Sequence, residues 1–144
     1  MQTTDLTLQA QAIFADDRYA THTTGIQIMR VDEHFSSCMM SIGPQHLNAR
    51  KAVMGGALFT LADFAAAIAA NTDQLSTNEP LSWVSLDSTI HFLSPAMAVD
   101  ELAAECKALK KGNTTALYQT QITIPETGKV VALVESTMMK LTSH

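Results

Sequence analysis

Met54-Gly55-Gly56-Ala57-Leu58-Phe59-Thr60-Leu61-Ala62-Asp63-Phe64-Ala65-Ala66-Ala67-Ile68-Ala69-Ala70-Asn71 is the stretch on which the reading of this sequence turns. Residues 57–70 are dominated by Ala and Leu, strong helix formers, and contain no Pro. Gly55-Gly56 opens the run, and Asn71 supplies a C-terminal stop. The helix is apolar on nearly every face, so it is expected to be buried over most of its circumference. One residue contradicts that composition: Asp63 is the only charged side chain between Lys51 and Asp73.

Outward from this helix the periodicity changes. On the N-terminal side, residues 44–53 read as a loop. Before them, residues 24–31 and 35–42 read as a hairpin turning at Asp32-Glu33, with Ile26, Ile28 and Val31 facing inward and Gly43-Pro44 closing it. Leu6, Leu8, Ala10, Ile13 and Phe14 mark a short amphipathic helix that stops at Asp16-Asp17-Arg18. On the C-terminal side, residues 72–80 are polar, contain Pro80 and read as a connecting loop. Residues 82–93, 101–109, 114–124 and 129–141 then read as strands. Ser94-Pro95, Lys111-Gly112-Asn113 and Pro125-Glu126-Thr127-Gly128 separate them, and such short turns favour antiparallel neighbours. The order is helix, two strands, one long apolar helix, four strands. An α+β domain with a long antiparallel sheet wrapped around the central helix satisfies it. No linker, repeat or low-complexity tract interrupts the chain, so residues 1–144 read as a single domain.

Composition narrows the function classes. Hydrophobic residues make up 47% of the chain and charged ones 16%, enough apolar material for a packed core. The net charge is -5, and the basic residues fall in short pairs, Arg50-Lys51 and Lys110-Lys111. A nucleic-acid partner is therefore not expected, although such a pair suits a few phosphates of a small ligand. Cys38 and Cys106 are too few for a disulfide framework or a zinc site and read as packing residues. His22, His34 and His144 lack metal-ligand spacing, and no metal is expected. The polar residues 1–5 lack a signal-peptide pattern, and no apolar run is long enough for a membrane span. A soluble, reduced, cytoplasmic protein without a membrane partner is the expectation.

Asp63 carries two readings. Either it points to a surface edge of its helix or pairs with a distant Arg, or it is functional. A carboxylate is expensive to bury, and Asp is a poor residue for a helix interior. Such violations concentrate at functional sites. Gly55-Gly56 adds a second element. The first amides of a helix have no intrahelical partner, and glycine lets a ligand approach the backbone closely. Together with the helix dipole they form a cradle for a developing oxyanion. Asp63 lies roughly 12 Å further along the axis, so one helix does not readily supply both groups to one carbonyl. Two antiparallel helices from two copies do, which predicts an obligate symmetric homodimer with two composite sites.

These residues also carry a resemblance. His46-Leu47-Asn48 followed by Met54-Gly55-Gly56 and the helix to Ala62-Asp63 resembles the signature of the PaaI-like hotdog thioesterases. In that signature His-x-Asn precedes His-Gly-Gly and a helix ending in Ala-Asp or Ala-Glu. Ile13-Phe14 with Asp17-Arg18-Tyr19-Ala20 is similar to the family's N-terminal helix and turn, and Phe92-Leu93-Ser94-Pro95-Ala96 to the end of its third strand. The resemblance implies the hotdog fold, a curved antiparallel sheet around one long central helix, in homodimers that often pair into homotetramers. It implies hydrolysis of an acyl-CoA thioester without metal or bound cofactor, coenzyme A being part of the substrate. Asp63 would be nucleophile or general base, the Gly55 N–H would polarise the carbonyl, and Asn48 would position the carbonyl or the attacking water. His46, Met54, Gly56 and Ala67 would border the substrate, although a loop histidine such as His46 more often caps or packs.

The chain departs from the pattern at three positions. Met54 replaces the His before the glycines, Ala67 replaces a frequent hydroxyl residue four positions after the acid, and Ser94 replaces an Arg. The last change implies either weaker phosphate binding or its relocation to Lys107, Lys110 or Lys111. Two further readings on the same fold are a non-catalytic acyl-CoA-binding module and a dehydratase or hydratase. The latter usually needs a His beside the acid, and Met54 removes it. The acyl group is open.

Overall fold

Period-two patterning builds the sheet. The computed structural model describes residues 3–142, so His144 lies outside the described residues. The elements are α1 (Thr3–Phe14), a π-helical turn (Tyr19–Thr23), β1 (Ile26–Asp32), β2 (Phe35–Ser41), a 3-10 turn (Pro44–His46) and α2 (Gly55–Ala70). They continue with α3 (Thr72–Thr77), β3 (Trp83–Phe92), β4 (Glu101–Lys111), β5 (Thr115–Ile124) and β6 (Lys129–Lys140). The strands form one six-stranded antiparallel sheet in the order β1-β2-β4-β5-β6-β3. Alternate residues face inward: Ser36, Cys38 and Met40 on β2, Leu102, Ala104 and Cys106 on β4, Ala116, Tyr118, Thr120 and Ile122 on β5. α2 packs against every strand, as a sheet curved around it requires. This is the wrapped sheet expected from the element order, and the hotdog fold that the resemblance implies.

Ile26, Ile28 and Val31 are buried as expected, although their spacing is not strictly two. A bulge between Ile28 and Arg30 absorbs the extra residue and turns Val31 inward. Polar groups on the inner face serve the helix backbone: Ser36 Oγ donates to the Ala65 carbonyl at 2.6 Å. Asn71 joins the end of α2 to the start of β3. Its Oδ1 accepts the N–H groups of Ser82 and Trp83, both at 3.0 Å, and its Nδ2 donates to the carbonyls of Ala67 (2.8 Å) and Trp83 (3.2 Å).

Three local expectations are corrected. The hairpin turns at Glu33-His34, one residue later, with His34 at φ 54° and its N–H held by Thr72 Oγ1. Residues 72–80 are not all loop. α3 forms there because Asp73 favours the first turn and Asn78, in the left-handed region, caps the last. Six residues are too few to register as a helical period. Lastly, Ser94-Pro95 does not close a hairpin. β3 lies at the outer edge beside β6, and residues 93–100 cross from that edge to β4 in the interior of the sheet. This strap passes the start of α2, where Val53 N–H donates to the Ala96 carbonyl at 2.9 Å.

The two sheet edges differ. α1 covers the β1 edge: Gln11 Nε2 donates to the Ile28 carbonyl and Val31 N–H to Thr7 Oγ1, each at 2.9 Å. Beyond Trp83, the outer edge of β3 has no backbone partner among the described residues, and Val84 and Leu86 stand exposed. Replacing Asn71 by Ala strips partners from four backbone groups at the α2–β3 junction. The loss is expected to be on the order of 2–4 kcal/mol, read as a lower urea midpoint at unchanged slope.

Candidate active site

The first turn of α2 begins at a loop that folds on itself. Asn48 N–H donates to the Ala52 carbonyl at 2.8 Å, and Lys51 N–H to the Asn48 carbonyl at 3.0 Å. The Asn48 carboxamide oxygen accepts both Arg50 N–H (2.9 Å) and Ala52 N–H (3.1 Å). With Oδ1 committed to the loop, Asn48 offers a ligand only the N–H donors of Nδ2. The N–H groups of Ala57 and Leu58 turn back to the Met54 carbonyl. Gly55 and Gly56 therefore carry the orphan amides of the helix start.

These groups border an open cleft of about 460 Å³, lined on one side by Asn48, Arg50 and Gly55 and on the other by Phe92, Ser94 and Pro95. The strap supplies the second wall. Phe92 packs so closely on Gly55 that a Cβ there would lie 3.0 Å from the ring. A side chain at Gly55 would therefore press on the Phe92 ring, which borders the cradle.

Asp63 is on the one stripe of α2 that the sheet leaves uncovered, with Gly56, Phe59, Thr60 and the half-buried Ala67. In the single chain it is exposed, while the rest of α2 is buried over most of its circumference, as expected. Protein still surrounds the carboxyl closely enough for desolvation to raise its pKa above the ordinary Asp value, with the negative charge of Asp17 adding to the rise. Ser85 Oγ donates to Asp63 Oδ1 at 3.3 Å and opposes the shift. Within one chain, Gly55 and Asp63 remain about 12 Å apart along the axis.

The remaining candidates divide. His46 is buried with both ring nitrogens engaged: Gly43 N–H donates to Nδ1 at 2.9 Å, and Nε2–H to the Thr24 carbonyl at 2.7 Å. Its place is inside the loop, not on the cleft wall. Met54 precedes α2 and stands exposed. Lys110 and Lys111 end β4 near the opposite end of α2. There Lys111 Nζ lies 3.9 Å above the Trp83 ring and 4.0 Å from Asp73 Oδ2. Lys107 faces away from α2, beside Glu105 and Gln119. Within one chain none of these lysines lines the cleft at Gly55. Burial pushes the Cys38 and Cys106 thiols up to about 12, which keeps them protonated at neutral pH. Ser85, Phe92 and Asp17 were not singled out by sequence reasoning as acting on this site. Ser85 and Phe92 lie in a recognisable strand, but their facing partners depend on where that strand sits in the sheet.

Residues 51–131 match the thioesterase superfamily. The chain is 36% identical over 124 residues to the acyl-coenzyme A thioesterase PaaI of Escherichia coli (strain K12), covering 86% of this chain and 83% of that one. It is 32% identical over 95 residues to human acyl-coenzyme A thioesterase 13, covering 66% of this chain and 65% of that one. Among solved structures, the E. coli PaaI protein from the phenylacetic acid degradation operon superposes with a TM-score of 0.85 at 29% identity, covering 99% and 98% of the two chains.

The causes of the Asp63 shift predict opposite responses to two substitutions. Followed by carboxyl-carbon NMR, Asp63 should titrate above the ordinary Asp range of about 3.9. Asp17→Asn removes a negative neighbour and should lower the midpoint. Ser85→Ala removes a donor to the charged form and should raise it.

Proposed function

The chain belongs to the thioesterase superfamily, in its PaaI-like hotdog family, and from that premise we propose that it hydrolyses acyl-CoA thioesters in composite sites shared by two copies. One copy contributes the Gly55 N–H and Asn48 Nδ2 as donors to the carbonyl oxygen. The other contributes Asp63, as nucleophile or as general base toward water. The carrying observation is that the orphan amides and the carboxylate occupy one helix, about 12 Å apart, on or beside its uncovered stripe. An antiparallel second α2 packed on that stripe brings each Asp63 toward the other's Gly55. The open β3 edge supports the same pairing, because an unpaired strand with exposed Val84 and Leu86 is suited to extending the sheet across a two-fold axis.

The chemistry needs few groups. As the acyl carbon becomes tetrahedral, negative charge gathers on its oxygen, where preoriented N–H donors stabilise it. Collapse expels a thiolate, a good leaving group, so the loss of an imidazole at Met54 does not remove an obligatory acid. Either role of Asp63 requires the ionised form, so its raised pKa places an acid limb on the pH–rate profile. Activity falls as pH drops through that value. The dimers pair further into tetramers if the family's habit holds.

A non-catalytic acyl-CoA binder is the competing reading, favoured by Met54 and Ala67. Asp63→Asn separates the two. It should cut kcat for acyl-CoA by on the order of 10²-fold or more, with the circular dichroism spectrum and melting temperature retained. Wild-type turnover no faster than the variant's would leave only binding. Sedimentation of the active wild type should give a dimer or tetramer; an active monomer would end the composite-site proposal.

A further inference from the structure

Arg50 is the only ionisable side chain among the residues that line the cleft beside Gly55. Its backbone is held in place, since its N–H is bound by Asn48 Oδ1 at 2.9 Å in the loop that presents the Asn48 amide. Its own charge is unspent: among the described residues no carboxylate lies within ion-pairing distance of the guanidinium. Arg30 and Lys111 are differently placed. Arg30 lies 4.7 Å from the centre of the Phe35 ring, and Lys111 is engaged by Trp83 and Asp73. Ser94, across the cleft, adds a hydroxyl but no charge.

We propose that Arg50 binds a phosphate of the coenzyme A portion of the substrate when the thioester carbonyl rests on the Gly55 N–H. The proposal rests on the thioesterase reading above and assigns the phosphate subsite to Arg50 of the basic pair Arg50-Lys51, not to Lys107, Lys110 or Lys111. A guanidinium suits this task because its planar fork of donors matches phosphate oxygens and its charge persists at every working pH. On a chain of net charge -5, an unpaired cation at the cleft is also the local attraction that a polyanionic substrate needs. Arg50 would act on binding, not on the reacting bond, so its effect belongs in KM.

The test compares one acyl group carried by coenzyme A and by pantetheine, which lacks phosphate, using full-length wild type, Arg50→Gln and Arg50→Lys. Arg50→Gln should raise KM for the acyl-CoA by about tenfold or more, with kcat within about twofold, and shift KM for the acyl-pantetheine by less than about twofold. Arg50→Lys should recover part of the loss. KM of the wild type for acyl-CoA should rise with salt more steeply than that of Arg50→Gln. Equal shifts on both substrates, or none on either, would overturn the assignment. So would a shift confined to acyl groups that carry a carboxylate, which would move Arg50 to the acyl end. If wild type turns over neither thioester, the hydrolase reading has failed. Calorimetric titration with coenzyme A itself then decides the assignment of Arg50, a weaker affinity in Arg50→Gln supporting it and an equal one overturning it.

Discussion

A sixteen-residue helix with Asp63 as its only charge has no stable place in water, and the burial of α2 organises the remaining structure. Leu58, Leu61, Phe64, Ala65, Ile68 and Ala69 all face the core, and small residues let the strands come close to the helix. Transfer of this much apolar surface is the main gain available to a chain of this size. A flat sheet would cover one face of such a helix; a curved one touches it from every strand. The buried hydroxyl of Ser36 on the inner face is tolerated because it binds a helix carbonyl.

The same packing leaves a remainder. Six strands with α1 against β1 enclose most of α2 but leave a stripe from Gly56 through Phe59 and Asp63 to Ala67. The unsatisfied ends of the fold gather near this stripe: the orphan amides at Gly55 and the unpaired edge of β3. The carboxylate lies on the stripe itself, partly desolvated in the single chain already. This surface, which combines apolar side chains, a free strand edge and a perturbed carboxyl, is the one on which the proposed second copy would pack. Proposed site and proposed interface therefore have one physical origin.

Position along α2 also separates the polar functions. At its N-terminal end, the helix start, the Asn48 loop and the strap from β3 make a cleft rich in N–H donors, with one cation at Arg50. At its C-terminal end, Asn71 locks the helix to β3, and Lys111 lies over the Trp83 ring and beside the Asp73 carboxylate.

The central helix, the strand runs, the inward set Ile26, Ile28 and Val31, and the candidates Asp63 and Gly55 are legible in the amino-acid order, because periodicity and helix-start chemistry are local; Asn48 entered only through the family resemblance. α3 was not, since a single polar turn and a half carries no period. What only the tertiary structure decided is which distant residues meet. Placing β3 at the edge beside β6 turned Ser94-Pro95 into a crossing strap, brought Phe92 onto Gly55 and Ser85 onto Asp63, and put Arg50 rather than Lys110 or Lys111 in the cleft. It also engaged both nitrogens of His46 inside its loop. These outcomes depend on strand order and side-chain packing across the chain, which local spacing does not encode. The sequence by itself determined that one oily helix bearing one acid had to be wrapped; the packing of the sheet decided which face stayed open and what stands around it.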